Sequence, residues 1–114
     1  MADADDRELV RRAALDYFEG WFDGDPERMD RALHPELSKR FAGDLTPVTK
    51  EQMVEATRQG AGRRDAEREV EVEVAEVYGE IATAIVRSAP YREYLHLVRT
   101  PGGWRIANTL YVRT

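Results

Sequence analysis

The chain has 114 residues, of which 42% are hydrophobic and 34% are charged, and these values predict one domain that folds in water around a single core. Its 17 lysine and arginine residues stand against 22 aspartate and glutamate residues, and the net charge of −5 argues against nucleic acids and membranes as partners. Without cysteine, the chain cannot form disulfides, thiolate nucleophiles or cysteine-based zinc sites.

The first residues are acidic and lack the apolar segment of a secretory signal, so we expect a cytoplasmic protein. Residues 1–114 are predicted to form a single domain, in which residues 1–6 are a candidate disordered tail.

Two helices are predicted at the start of the chain. Residues 5–24 carry apolar side chains at three- and four-residue spacing, the pattern of an amphipathic helix, and Gly24 can end it in a left-handed conformation. Asp25 and Pro26 then provide an N-cap and a first helical residue. They begin a short second helix that continues through Leu33.

A strand and a third helix follow. Residues 37–42 are interpreted as a strand. Residues 49–52 match a reciprocal capping box, in which the threonine and glutamine side chains satisfy backbone amides at the start of a helix. This third helix is predicted to continue toward Gly60.

The second half of the chain has the pattern of a sheet. Valine alternates with glutamate over residues 69–74, as in a strand with one buried face, and a slip in the alternation near residues 75–77 predicts a β-bulge. Helices followed by strands indicate an α+β domain with its helices on one face of the sheet. The predicted strands form a four-stranded antiparallel meander over residues 70–77, 81–88, 91–100 and 104–112.

The register of the last hairpin decides which side chains face the helices. Proline disfavours a type I′ turn, so Pro101 favours a three-residue loop, in which His96 pairs with Asn108 and Tyr94 with Leu110. In this register the wall that faces the helices contains no carboxylate. It consists of Tyr94, His96, Val98, Trp104, Ile106, Asn108 and Leu110.

Several stretches of the chain resemble a known family. They are ALDY at 14–17, GW at 20–21, ALHPEL at 32–37, KR at 39–40, VEATR at 54–58, YLHL at 94–97 and GWRI at 103–106 followed by Asn108. Together they resemble the putative lumazine-binding family, which belongs to the nuclear-transport-factor-2-like superfamily.

This resemblance implies a cone-shaped α+β fold, in which three N-terminal helices pack on a curved, mainly antiparallel sheet. It also implies a pocket at the wide end of the cone and often a homodimer formed through the outer face of the sheet. The superfamily includes ketosteroid isomerases, dehydratases, polyketide cyclases and epoxide hydrolases, so the fold alone does not select a reaction.

The candidate catalytic residues are His96, Tyr94 and His34. An imidazole oriented by Asn108 could act as a general acid or base, with Tyr94 or Tyr17 donating to an oxyanion; the alternative is a buried structural histidine. His34 could pair with His96, as in the two-histidine dehydratases of the superfamily, or bind the last carbonyls of helix two.

The candidate ligand-binding residues are Tyr17, Trp21, Arg40, Trp104 and Asn108. The aromatic side chains either fill the core or present polar tips to a pocket. The Arg40 guanidinium either binds an anionic substrate or pairs with nearby acids. We expect neither a metal nor a cofactor, because no histidine spacing supports a metal site.

Three functions are compatible with these patterns. The first is small-molecule binding in a hydrophobic cavity. The second is an isomerase, dehydratase or polyketide-cyclase-like enzyme that uses His96 as general acid/base. The third is a protein-interaction module on the outer sheet face, through Leu95, Leu97, Ala107 and Tyr111. A cavity of a few hundred Å³ would favour the first two.

Overall fold

The computed structural model describes residues 4–64 and 67–114, and it shows helices packed on one face of a six-stranded sheet. The helices are α1 (Ala4–Asp23), α2 (Pro26–Ala32), α3 (Lys50–Arg58) and a short 3₁₀ helix (Ala61–Arg64). The strands are β1 (Leu33–Phe41), β2 (Asp44–Val48), β3 (Glu71–Tyr78), β4 (Ile81–Arg87), β5 (Tyr91–Thr100) and β6 (Gly103–Arg113). The predicted α+β class is confirmed.

The predicted helix signals are found where expected. Gly24 has a φ of 67° after α1, and the Asp25 side chain accepts two backbone N–H groups at the start of α2. Thr49 and Gln52 form the reciprocal capping box of α3. The predicted tail over 1–6 is wrong for residues 4–6, which form the first turn of α1; residues 1–3 lie outside the described part.

The sheet has the strand order β2-β1-β6-β5-β4-β3. The predicted meander is confirmed as β3 to β6, while β1 joins it in parallel beside β6. The predicted strand over 37–42 is part of the longer β1. The edge strand β2 was not predicted, because it contains Pro47 and proline is normally excluded from the interior of a sheet. A strand at the edge, such as β2, tolerates proline.

A bulge bends β3 as the sequence predicts. Val74 pairs with Ala84 and Glu76 pairs with Thr83, so Ala75 is the extra residue. Such a bulge increases the local twist and curvature of a sheet.

The predicted three-residue loop of the last hairpin is wrong, whereas the predicted pairs of His96 with Asn108 and of Tyr94 with Leu110 are confirmed. Thr100 pairs with Gly103, so the loop has two residues, and Leu97 pairs with Ile106 on the buried side. The pairing of β5 with β6 is also irregular between Leu97 and His96, where the register shifts by one residue before His96 pairs with Asn108. The two-residue turn therefore directs the opposite face of β5, not the predicted one, toward the helices. The register shift has the same effect on β6 after Ile106, where the face opposite to the predicted one points to the helices.

Five residues predicted on the inner wall consequently lie on the outer face. Trp104 and Ile106 are buried under the helices as predicted. The inner face of β5 instead presents Tyr91, Glu93, Leu95 and Leu97. The residues moved to the outer face are Tyr94, His96, Val98, Asn108 and Leu110.

Candidate functional site

A cavity of about 90 Å³ lies between α1 and the inner face of the sheet. This volume is below the few hundred Å³ that would favour ligand binding or catalysis over protein interaction, and below the range of about 300–1,000 Å³ typical of ligand pockets. Most of the lining is apolar or aromatic. The lining residues are Tyr17, Phe18, Trp21, Lys39, Val48, Met53, Tyr91, Glu93 and Tyr111.

Glu93 supplies a carboxylate on the wall where the sequence analysis expected none. It lies on β5 opposite Tyr111, and its side chain is only 2% exposed. A carboxylate is rarely buried to this extent unless it is paired. Its orientation follows from the two-residue loop at the end of β5.

Two polar side chains from distant elements contact Glu93. The Tyr17 hydroxyl, on α1, donates to Glu93 Oε2 over 2.5 Å. The Lys39 ammonium, on β1, donates to the Tyr17 hydroxyl and lies 3.7 Å from Glu93 Oε2. We refer to Tyr17, Lys39 and Glu93 as the polar triad. It connects a helix and two separate strands inside the cavity.

Aromatic rings surround the Lys39 ammonium. Its Nζ lies 4.6 Å from the ring centroid of Tyr111, 4.9 Å from that of Tyr17 and 5.9 Å from that of Trp21. The Tyr111 and Trp21 distances are within the range of about 6 Å over which a cation is attracted to a ring face, whereas Tyr17 contacts the ammonium through its hydroxyl. The ammonium is thus held by ring faces as well as by a carboxylate.

Burial changes the protonation equilibria of this triad. Desolvation, followed by the nearby Glu93 charge, raises the pKa of Tyr17 well above its usual value, so the hydroxyl stays a hydrogen-bond donor. Desolvation lowers the pKa of Lys39, although Glu93 opposes this effect. Such shifts are typical of functional sites.

Trp21 contributes an indole N–H without a partner. Its Nε1 is buried and has no hydrogen-bond partner among the described residues, which is uncommon in a folded protein. The backbone of Trp21 lies against the 3₁₀ helix, where a Cβ on Gly62 would come within 2.2 Å of the Trp21 carbonyl oxygen. This close contact fixes one end of the cavity wall.

The structure brings together only some of the predicted site residues. Tyr17 and Trp21 line the cavity. Trp104 is buried, but its indole N–H donates to Asp6 over 3.3 Å, and it is not among the cavity residues. Arg40 is exposed and donates to the Leu45 carbonyl oxygen over 3.1 Å, which places it in the β1–β2 hairpin.

The predicted catalytic residues do not meet at the cavity. His96 and Asn108 are hydrogen-bonded over 2.9 Å, as the pairing predicted, but both are exposed on the outer face, as is Tyr94. His96 and Asn108 border an open hollow of about 340 Å³ on that face. Tyr94 lies near this hollow, two residues before His96 on β5. His34 accepts the Glu36 backbone N–H over 3.0 Å, and β6 separates its strand from that of His96.

The outer-face residues proposed for a protein interaction also need correction. Leu95 and Leu97 are buried on the inner face, and Tyr111 lines the cavity. Of the four, Ala107 borders the outer hollow. The reason is again the register of β5 and β6.

Residues 4–64 and 67–114 contain no cluster of three or more His, Cys, Asp or Glu side chains suited to holding a metal ion. None of their helices has the length and hydrophobicity required for a membrane crossing.

Similar folds are found among solved structures. A nuclear-transport-factor-2-like protein of unknown function from Silicibacter pomeroyi has a TM-score of 0.80 at 19% identity, with both chains fully covered. A ketosteroid isomerase-like protein from Erwinia carotovora atroseptica has a TM-score of 0.75 at 15% identity, covering 97% of this chain and 98% of the other. At these identities the similarity shows the fold alone.

A protein with a cystatin-like fold from Caulobacter vibrioides has a TM-score of 0.76 at 18% identity, covering 97% of this chain and 91% of the other. A comparison with curated proteins finds no match. The model of the family described as "Putative lumazine-binding" matches residues 5–112. Because this match covers nearly the whole chain, the protein belongs to the putative lumazine-binding family within the nuclear-transport-factor-2-like fold.

Proposed function

We propose that the chain binds a small organic molecule in the cavity between α1 and the sheet, with the polar triad as its recognition group. The observation that supports this most strongly is the position of Glu93, a buried carboxylate facing an otherwise largely aromatic cavity. Buried ion pairs are poor stabilisers compared with packed apolar side chains. Convergent polar groups in an apolar cavity are instead typical of binding sites.

The size of the cavity limits the ligand. A volume of about 90 Å³ is well below the range of about 300–1,000 Å³ typical of pockets for drug-sized ligands. The site therefore accepts a molecule of a few heavy atoms as it stands. A larger ligand requires the Lys39 side chain to move out of the cavity.

A fragment titration of matched variants tests this proposal. We expect compounds from a small-fragment library to raise the thermal midpoint of the wild type and of Glu80→Gln, an exposed control. The same compounds should lose at least tenfold in affinity with Glu93→Gln, whose folding is verified by circular dichroism. Equal binding by Glu93→Gln, or no binding by any fragment, contradicts the proposal.

A second candidate function is proton transfer to or from carbon. The proximity of a buried carboxylate and a tyrosine hydroxyl supports it, because Glu93 can act as a base and Tyr17, once its hydroxyl turns from Glu93 to the substrate, can donate to a developing oxyanion. Deuterium exchange next to the carbonyl of small ketones, followed by NMR, tests this candidate. We expect Glu93→Gln to slow exchange by about 100-fold or more, whereas equal rates would contradict it.

We also propose that two copies associate through the outer face of the sheet. Five large apolar side chains on that face are between 42% and 77% exposed, and exposed apolar surface is typical of interfaces. They come from four adjacent strands: Tyr78, Ile81, Tyr94, Leu110 and Val112.

A further inference from the structure

The Lys39 ammonium occupies a position that has the chemistry of an organic-cation site. The rings of Tyr111 and Trp21 lie 4.6 and 5.9 Å from its Nζ, the Tyr17 hydroxyl accepts a hydrogen bond from it, and the Glu93 carboxylate lies 3.7 Å away. Aromatic cages of this kind recognise alkylated ammonium groups in other proteins. Here the group inside the cage belongs to the chain itself.

Building on the proposed function, we infer that the cavity binds a small organic cation, an alkylated amine or a quaternary ammonium, and that Lys39 occupies the site until this ligand displaces it. The cage residues are Tyr17, Trp21, Tyr111 and Glu93. Lys39 is the competitor.

The charges of the cavity favour a cation over an anion. Aromatic faces carry negative electrostatic potential, and the carboxylate of Glu93 faces the same space. When the Lys39 ammonium leaves, the wall retains one negative charge and no compensating positive charge among its lining residues. An anion entering the cavity would be repelled by both the carboxylate and the rings.

The location of Lys39 allows it to leave without unfolding the domain. Its side chain is 12% exposed, so part of it reaches solvent, and it comes from β1, next to the short edge strand β2. Rotamer changes of a long side chain near the surface are fast compared with opening of the fold. Its departure would also enlarge the cavity.

Truncation of Lys39 provides the test, with tetramethylammonium chloride as the probe. We expect Lys39→Ala to gain thermal stability with rising tetramethylammonium, at least tenfold more sensitively than the wild type, because the internal competitor is gone. Sodium chloride and sodium acetate at equal ionic strength should not reproduce the gain. The additional change Glu93→Gln should abolish it.

Lys50→Ala is the matched control. The Lys50 side chain is also 12% exposed and also pairs with a carboxylate, Asp30, but it lies outside the cavity. The thermal stability of Lys50→Ala should respond to tetramethylammonium no more than that of the wild type. If Lys39→Ala does not fold in buffer, saturation-transfer NMR on the wild type should still detect tetramethylammonium, with Tyr17 and Trp21 protons as the contacts.

Two outcomes separate this inference from the proposed function. Preference of Lys39→Ala for acetate, or an equal response to sodium and tetramethylammonium, overturns the cation site. If neutral or anionic fragments nevertheless bind in a Glu93-dependent manner, ligand binding in the cavity stands and only the cation inference fails.

Discussion

Glu93 is buried beside aromatic rings, and its carboxylate is held by one hydrogen-bond donor and one counter-charge that come from other elements. Tyr17 donates to it directly, and Lys39 supplies the opposite charge. Removing one partner of such a group leaves an uncompensated buried charge, which costs more than the pair contributes. Because of this asymmetry, a double-mutant experiment can measure the energetic coupling between members of the triad.

The first prediction concerns the coupling between Lys39 and Glu93. Lys39→Met should lower the free energy of unfolding by about 3–5 kcal/mol, because it leaves the Glu93 carboxylate without its counter-charge. Adding Glu93→Leu to Lys39→Met should recover most of this loss. Urea denaturation measures both values, and simple additivity of the two single changes would show that the side chains are not coupled.

The second prediction is the alkaline dependence of stability. Because burial lowers the pKa of Lys39 from its usual 10.5, the unfolded chain binds more protons between the lowered pKa and 10.5, so stability rises with pH there. Because the pKa of Tyr17 is raised above 10.0, the folded chain holds its proton longer, so stability falls above that pH.

Urea denaturation between pH 7 and 11 measures these slopes. Relative to the wild type, Lys39→Met should lack the rise of stability with pH below 10.5, and Tyr17→Phe should lack the fall of stability above pH 10.0. Identical profiles for all three proteins would mean that neither group titrates differently in the folded state.

At the scale of elements, one turn and one bulge determine the composition of the cavity. The two-residue loop after Thr100 directs Glu93 inward, and the irregularity in β6 turns Asn108 outward. The elements themselves were predictable, since their caps, turns and alternation are local signals. The face of β5 that points to the helices was not predictable, because both faces of β5 carry apolar side chains.

The polar triad shows the same limit more sharply. Charges are normally placed on the solvent side of a predicted strand, which assigns Glu93 to the wrong face. Its partner Tyr17 lies 76 residues away along the chain, so no local pattern indicates that the carboxylate has a buried donor. Tyr17 and Trp21 were predictable as cavity residues because the spacing on α1 marks its buried face.

The third prediction concerns the contact between α1 and the 3₁₀ helix. Gly62→Ala should lower stability by about 1–3 kcal/mol, the usual range for overpacking, because its Cβ would lie 2.2 Å from the Trp21 carbonyl oxygen. Gly102→Ala is the control, since its Cβ would meet only the end of the flexible Arg105 side chain. Equal, small effects in thermal denaturation would argue against a close contact at Gly62.

At the scale of the whole molecule, the sheet separates two surfaces with different roles. The inner face and the helices enclose the core and the cavity, whereas the outer face exposes a cluster of large apolar side chains. The exposed His96 and Asn108 belong to this second surface. The histidine that the sequence analysis placed at a catalytic centre is therefore expected to affect association rather than ligand binding.

The fourth prediction is a dimer at micromolar concentration. Light scattering should give about twice the chain mass of 13.1 kDa, and Ile81→Asp should convert it to the monomer by placing a charge in the apolar face. Leu9→Asp, a change at an exposed leucine on α1, is the control and should remain dimeric. A monomeric wild type would contradict the proposal that two copies associate through the outer face.

The most direct test of the central claim is the crystal structure of the protein after soaking with a fragment mixture that includes small amines, carboxylates and ketones. We expect ligand density in the cavity between α1 and β5, in contact with Glu93 and with Lys39 shifted from its position. Density confined to the outer hollow beside His96, with the polar triad unchanged, would contradict it.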